Sequence, residues 1–188
     1  KLSNKKRKQI QDKCKKEHKP TFADFFAGAG GLSYGFTQAG FRVCFANDFE
    51  DVCVRTYRYN HPEIASKKVI KGDIRKIVDN VQDYIDEDVD IVVGGPPCQG
   101  FSSANQQRVI DDPRNELYKY YIKGIKKILP KFVVMENVKG MLKVADQVVE
   151  DYESIEEEKN GTTYSYTVSY KLLNSLDFSV SQSRERLI

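Results

Sequence analysis

The chain has 188 residues, of which 40% are hydrophobic and 11% aromatic. This is enough apolar material for one domain of ordinary size, and it argues against disorder as the main state. No stretch approaches the roughly eighteen consecutive apolar residues of a membrane span, and no apolar leader with a small-residue cleavage site opens the sequence. Four cysteines without a C-x-x-C pair, and two histidines, leave little for a metal site or a histidine-centred triad. We expect an intracellular protein without a metal.

Positive charge is concentrated at the N-terminus. The whole chain carries a net charge of +3, but residues 1–19 hold nine Lys or Arg against Asp12 and Glu17. This arm is therefore +7, and residues 20–188 sum to −4. A basic arm is compatible with nucleic acid, although a solvated and partly disordered arm is the simplest interpretation. We predict a boundary between the arm, residues 1–19, and a catalytic domain over residues 20–188.

Beyond the arm, short β-rich runs alternate with helical patterns. The predicted strands cover residues 21–26, 41–47, 69–70, 90–94, 132–136 and 164–173. The predicted helices are a short one closed by Gly40 and those over residues 51–60, 116–129 and 148–159. This alternation predicts an α/β domain with a mostly parallel sheet flanked by helices. An apolar run begins at residues 186–188, where the sequence stops, so we expect the fold to continue in a larger whole.

The ends of the first three predicted strands carry residues suited to a nucleoside. The first strand leads into the glycine-rich segment 26–31, whose G-x-G-G spacing lets the backbone approach a ligand but does not fit the dinucleotide fingerprint. Asp48 ends the second strand, where a carboxylate accepts hydrogen bonds from ribose hydroxyls. Phe49 is placed to stack on a base, and Asp73, after the third strand, to accept from an exocyclic amine. Together these strand ends predict a nucleoside pocket.

The next two strand ends carry a nucleophile and an acid. Cys98 follows Gly94-Gly95-Pro96-Pro97, and a cysteine on such a rigid loop suits a nucleophile better than a core position. Glu136 ends the next strand, and adjacent parallel strands bring their carboxyl ends together, so we expect Glu136 and Cys98 to approach each other.

These segments together resemble the cytosine-C5 methyltransferases. The matches are residues 26–31, 47–49, 72–74, 95–102, 135–138 and 182–186, in the family's order, and P-C-Q, E-N-V and Q-x-R-x-R are its specific combination. The resemblance implies a Rossmann-like S-adenosylmethionine-dependent methyltransferase fold and transfer of a methyl group to C5 of a flipped-out cytosine in double-stranded DNA, as in restriction–modification systems, with S-adenosylhomocysteine as product. The implied catalytic residues are Cys98 as nucleophile, Glu136 as the acid at the base, and Arg186 beside the target base.

The resemblance also implies two sets of binding residues. The cofactor-binding set is Phe26, Gly28, Ala29, Gly31, Asp48, Phe49, Asp73, Ile74, Pro97 and Leu117. The substrate-binding set is Gln99, Ser102, Asn137, Val138, Gln182 and Arg184. The family continues with a closing strand, a recognition domain and a final helix, so we expect the chain to be incomplete at its C-terminus and to work with that part in cis or as a separate chain.

Two other interpretations remain open. One branch of the family methylates tRNA with the same core motifs, and residues 1–188 do not contain the recognition domain that distinguishes the two substrates. A catalytically inactive regulatory subunit of the same fold is a third interpretation, against which stands the presence of both Cys98 and Glu136. A nicotinamide-dependent oxidoreductase fits less well, because the third glycine of its fingerprint is absent.

Overall fold

The computed structural model describes residues 2–97 and 116–188. These residues form two compact units. The first unit comprises the described residues up to Gly94 together with Pro130–Val134, and the second comprises the described residues of Gly95–Leu129 together with Met135–Ile188. In the described residues, no helix combines the length and the apolar character that crossing a membrane requires. The predicted boundary after residue 19 stays a prediction.

A five-stranded sheet with the order β3-β2-β1-β4-β5 forms the centre of the first unit. Its strands are β1 (Thr21–Phe25), β2 (Arg42–Asp48), β3 (Val69–Lys71), β4 (Ile91–Gly94) and β5 (Phe132–Met135). The pairs β1–β2, β1–β4 and β2–β3 are parallel, which confirms the predicted mostly parallel sheet. All residues of β1 and β4 are buried, as expected for strands covered on both faces. The carboxyl ends of β1, β2 and β3 therefore lie side by side.

Three helices of this unit follow strands β1, β2 and β3. They are α2 (Gly31–Gln38), α3 (Asp51–Asn60) and the single turn α4 (Ile74–Ile77). Val54 and Tyr57 of α3 enter the same core as Phe22 of β1, and Phe36 of α2 packs on Phe22 with ring centroids 5.3 Å apart. The predicted helix over residues 51–60 matches α3, and β1 and β2 match their predictions to within one residue at each end.

The N-terminal arm contains a helix, α1 (Asn4–Lys16), in which no residue is buried. The arm is solvated as expected, but residues 4–16 are helical and not disordered. Ser3 caps it by accepting a hydrogen bond from the amide of Lys6 at 3.3 Å. Arg7 donates to the carbonyl of Arg58 at 2.9 Å, and Gln11 donates to the carbonyls of Pro62 and Ile64 at 3.1 and 3.2 Å. The acceptors are carbonyl groups of a loop and of a helix end. Sequence periodicity does not reveal contacts of this kind, so the sequence did not predict that the arm bonds to the rest of the first unit.

The second unit contains two longer helices and five short strands. The helices are α5 (Glu116–Ile128) and α6 (Ala145–Glu153), and the strands are β6 (Asn137–Val138), β7 (Glu156–Lys159), β8 (Thr162–Ser165), β9 (Leu172–Asn174) and β10 (Glu185–Leu187). Strand β10 lies between β6 and β9 in an antiparallel sheet, and β7 and β8 form a hairpin.

Two predicted elements of this unit were wrong. The helix predicted over residues 148–159 ends at Glu153, because Asn160 and Gly161 both adopt positive φ and connect β7 to β8 as a two-residue hairpin turn. The strand predicted over residues 164–173 is broken, since β8 pairs with β7 whereas β9 pairs with β10. The chain changes its hydrogen-bonding partner between these two strands.

Candidate functional site

The loop that follows β1 has an unusual backbone. Phe26, Gly28 and Gly30 have φ values of 57°, 55° and 90°, so three of five consecutive residues lie in the left-handed region. For phenylalanine this conformation costs roughly 1–3 kcal/mol and persists only where the surroundings enforce it. A Cβ placed on Gly28 would meet no atom within 4 Å. The loop therefore presents an open backbone beside the end of β1.

Asp48 connects this loop to the neighbouring strand end. Its Oδ2 accepts a hydrogen bond from the Gly28 amide at 2.8 Å, and its Oδ1 accepts from the Glu50 amide at 2.8 Å. The Asp48 carbonyl accepts from the Gly72 amide at 3.0 Å, while the buried Asn47 donates to the carbonyls of Ile70 and Gly72, both at 3.0 Å. The structure thus brings the loops after β1, β2 and β3 together, and Asp48 supports the glycine-rich loop. The predicted contact of Asp48 with ribose hydroxyls stays a prediction.

The other predicted cofactor residues of the first unit differ in exposure. Phe49 is 65% exposed, which leaves its ring free for stacking. Asp73 caps α4 through the Arg75 amide and pairs with the Arg75 guanidinium, which lowers the pKa of its carboxyl. Ile74 is buried, so its side chain belongs to the core. Ala29 and Gly31 are exposed at the start of α2.

A buried polar network beneath the loop was missed by sequence reasoning. Asp24, in the middle of β1, accepts a hydrogen bond from the Ser33 hydroxyl at 2.5 Å, and Ser33 lies 2.6 Å from the Tyr57 hydroxyl. Burial raises the pKa of Asp24 to about 7, although the Ser33 hydrogen bond opposes this. The sequence contained a signal for Asp24, because a single acidic residue interrupts an otherwise apolar strand.

An ion pair in the second unit joins two of the predicted catalytic residues. Arg186 Nε lies 2.7 Å from Glu136 Oε1, and the two side chains are 24% and 32% exposed. Glu136 follows β5 directly, and Arg186 lies in β10 opposite Val138 of β6. Strand pairing therefore brings together two residues that are 50 positions apart in the sequence.

The segment that precedes Cys98 lies beside Glu136 and bonds to the neighbouring Asn137. The buried Asn137 donates to the Pro96 carbonyl at 3.0 Å, and its Oδ1 accepts from the Val138 amide at 2.9 Å. A Cβ on Gly95 would lie 3.0 Å from Glu136 Oε2, so glycine leaves room for the carboxyl group. The Gly95-Pro96 segment is thus held beside Glu136.

The remaining predicted residues of the second unit, where the structure describes them, are mostly exposed. Gln182 and Arg184 have exposed side chains, and their backbone atoms bond to Val180, Asn174 and Ser175. Val138 and Pro97 are exposed, and Leu117 is half-buried in α5. Cys98, Gln99 and Ser102 lie outside the described residues, so the approach of Cys98 to Glu136 stays a prediction.

The parallel sheet carries a glycine-rich loop after β1 and acidic residues at the ends of β2 and β3, an arrangement with which α/β folds bind nucleoside groups. Residues 20–188 match the family model of the C-5 cytosine-specific DNA methylases. The chain belongs to this family, which confirms the resemblance inferred from the six sequence segments.

Known proteins agree with this assignment. The chain is 43% identical over 163 residues to the Type II methyltransferase M.FnuDI of Fusobacterium nucleatum, covering 86% of this chain and 44% of that protein. It is 39% identical over 170 residues to the Type II methyltransferase M.AquIA of Picosynechococcus, and the match covers 86% of this chain and 67% of that protein. A crystal structure of a prophage-encoded DNA modification methyltransferase from E. coli superposes with a TM-score of 0.66 at 25% identity, covering 89% of this chain and 45% of that one. The chain spans about half the length of most curated relatives that it matches.

Proposed function

We propose that this chain is the catalytic part of an S-adenosylmethionine-dependent DNA methyltransferase that modifies C5 of cytosine in double-stranded DNA. The observation that carries the proposal is the Glu136–Arg186 ion pair, with the segment leading to Cys98 held beside it. A carboxyl group, a guanidinium and a thiol are the three groups that activation of a cytosine ring requires.

The first unit fits the adenosyl part of the cofactor. The left-handed loop leaves open space at Gly28, Asp48 lies at its edge with carboxylate oxygens that have further accepting capacity, and the Phe49 ring is exposed. We assign the ribose hydroxyls to Asp48, the adenine face to Phe49 and the adenine edge to Asp73 and Ile74. When bound, S-adenosylmethionine supplies an electrophilic methyl group.

The residues of the second unit act on the target base. C5 of cytosine is too electron-poor to react unaided, so the Cys98 thiol loses its proton and adds to C6 as the thiolate. Glu136 takes up a proton as the base replaces its contact with Arg186, and it delivers that proton to N3. The electron pair released from the C5–C6 double bond makes C5 nucleophilic. Arg186 pairs with Glu136 before the base enters and then orients the ring at O2. Once C5 carries the methyl group, a base removes its proton, the sulfur–C6 bond breaks and N3 returns its proton to Glu136.

The target base must leave the duplex before Cys98 reaches C6. Flipping a paired base costs roughly a few kcal/mol. We assign the contacts with the extruded nucleotide to the substrate-binding set, which is Gln99, Ser102, Asn137, Val138, Gln182 and Arg184. We expect the recognition part of the family, in cis or as a separate chain, to supply base reading in the groove, because residues 20–188 carry a net charge of −4.

The test is methyl transfer to defined nucleic acids. The chain, supplied with its recognition part, is incubated with labelled S-adenosylmethionine and either mixed-sequence duplex DNA or tRNA, and 5-methylcytosine is measured by mass spectrometry. We expect product in DNA and none with Cys98→Ser. Product in tRNA alone would replace the DNA proposal with the RNA alternative, and no product in either would favour the regulatory subunit.

A further inference from the structure

A buried histidine holds the end of the glycine-rich loop. Gly30 is the N-cap of α2, and its carbonyl accepts hydrogen bonds from the Tyr34 amide at 2.8 Å and from His61 Nε2 at 3.0 Å. A Cβ on Gly30 would overlap the His61 ring. The ring and the loop backbone are therefore in direct contact, and His61 is 1% exposed.

The partners of His61 determine its protonation state. Nδ1 lies 2.7 Å from Glu63 Oε1, and Nε2 faces the Gly30 carbonyl. A carboxylate and a carbonyl both accept, so satisfying both contacts requires a proton on each ring nitrogen. Burial lowers the pKa of His61, but the hydrogen bond and charge of Glu63 and the Gly30 bond outweigh it, so the pKa lies above its usual value. The two contacts and the raised pKa therefore both favour the imidazolium form of this buried ring.

Other titratable groups interact with this ring or line the same pocket. They are Tyr57 of α3, Asp24 of β1, Tyr34 of α2, Cys14 of α1, Lys19, and Arg42 of β2. Lys19 is paired with Glu17, and Arg42 with Glu87. The Tyr57 ring stacks on His61 with centroids 4.4 Å apart. The carboxylate in hydrogen-bond contact with the ring is that of Glu63.

We propose that His61 is a positioning residue whose protonated ring clamps the Gly30 carbonyl and so sets the cofactor loop in its binding geometry. When the ring loses one proton, the Glu63 carboxylate retains the proton on Nδ1. Nε2 then presents a lone pair to the carbonyl oxygen of Gly30, and the contact becomes repulsive. The loop loosens, and cofactor affinity falls as pH rises through the His61 pKa. This inference rests on the proposed function, because it takes S-adenosylmethionine as the ligand.

The test combines calorimetry with S-adenosylmethionine between pH 6 and 9 and the ring ¹⁵N shifts of His61. We expect the affinity for S-adenosylmethionine to fall about tenfold as pH rises. A tenfold change corresponds to the loss of one hydrogen bond. Glu63→Gln moves the midpoint to lower pH, because the carboxylate no longer stabilises the cation. His61→Gln binds weakly with no such transition, and His18→Gln, at an exposed histidine, behaves as the parent. Asp24→Asn retains the transition, which separates His61 from the Asp24 carboxyl, whose pKa burial raises to about 7.

Each outcome separates the two proposals. An identical midpoint in the parent and in Glu63→Gln would reduce His61 to a structural role and overturn the inference. A ring that is neutral at pH 6 by its ¹⁵N shifts would overturn it without any ligand. A parent that, supplied with its recognition part, binds no S-adenosylmethionine at any pH would instead refute the proposed function, while the ¹⁵N shifts would still decide the state of His61.

Discussion

The two units differ in how they hold their polar side chains. In the first, Asp24 and His61 are each 1% exposed, and Asp24 bonds to Ser33 while His61 bonds to Glu63 and Gly30. In the second, the Glu136 and Arg186 side chains are 32% and 24% exposed and pair with each other at 2.7 Å. Buried polar groups cannot move without losing their partners, whereas a part-exposed ion pair exchanges partners at low cost.

This difference matches the two tasks that we propose. The cofactor loop requires a fixed backbone, and a buried network beneath it supplies one. The target base has to enter from DNA, and a carboxyl that is held loosely accepts a new partner. Variants of the first unit are therefore expected to change stability and cofactor affinity, and variants of the second to change turnover.

The largest effect is expected at Glu136. Glu136→Gln removes the proton donor and lowers turnover by a factor of roughly 10²–10⁴, the usual range for a positioned acid, while cofactor affinity stays as in the parent. Steady-state kinetics and calorimetry measure the two quantities. Lys139→Gln removes a neighbouring exposed ion pair with Glu185 and serves as the control. A Glu136→Gln enzyme as fast as the parent would make Glu136 a structural residue.

The next effect concerns stability and pH. Burial raises the pKa of Asp24 from 3.8 to about 7, so the folded state prefers the protonated carboxyl. Its contribution to stability is complete below pH 3.8 and is lost as pH rises through about 7. Relative to Asp24→Asn, the parent should lose several kcal/mol over this range, at about 1.4 kcal/mol per pKa unit. Urea unfolding measures this, and parallel pH curves for the two proteins would contradict it.

A smaller effect is expected at Asp48. Asp48→Ala removes the brace on Gly28 and the acceptor that we assign to the ribose, and it should weaken S-adenosylmethionine binding by roughly 1–3 kcal/mol. The control is Asp51→Ala, an exposed acid three residues away that pairs with Arg55. Calorimetry that gives equal affinities for Asp48→Ala and the parent would place the ribose elsewhere.

The smallest effect is expected on α1. Lys5, Lys8, Lys13 and Lys16 are exposed on this helix, and replacing all four with Gln should weaken DNA binding and reduce its salt dependence, by up to about 0.9 in slope per lost phosphate contact. A charge-matched control replaces the exposed Lys67, Lys76, Lys119 and Lys126. Equal slopes in both variants would mean that the α1 lysines are only solvated.

The first unit was more predictable from the sequence than the second. Strands such as β1 and β4 are buried on both faces, and their apolar runs are bounded by glycine, proline or polar residues. In the second unit, β7 consists of Glu156, Glu157, Glu158 and Lys159, a composition that resembles a solvated helix face. The Asn160-Gly161 pair carried the correct signal, since this dipeptide is typical of two-residue hairpins.

The candidate site was predictable only where a motif carried it. The sequence motifs identified Asp48 and Glu136 as site residues and indicated the roles that we propose for them. They did not give the Arg186–Glu136 contact, which depends on β10 pairing with β6, or the His61–Gly30 contact, where His61-Pro62 was interpreted only as the end of a helix. Both contacts are long-range, and a single sequence without its fold does not specify them.

The central claim is covalent catalysis by Cys98, and the most direct measurement uses a substrate that cannot complete the reaction. Duplex DNA with 5-fluorocytosine at the target position carries no removable proton at C5, so the adduct persists after methyl transfer. We predict that the chain, supplied with its recognition part and S-adenosylmethionine, forms a complex with this DNA that survives denaturing electrophoresis, and that mass spectrometry locates the bond at Cys98. A complex formed equally well by Cys98→Ser would contradict this account.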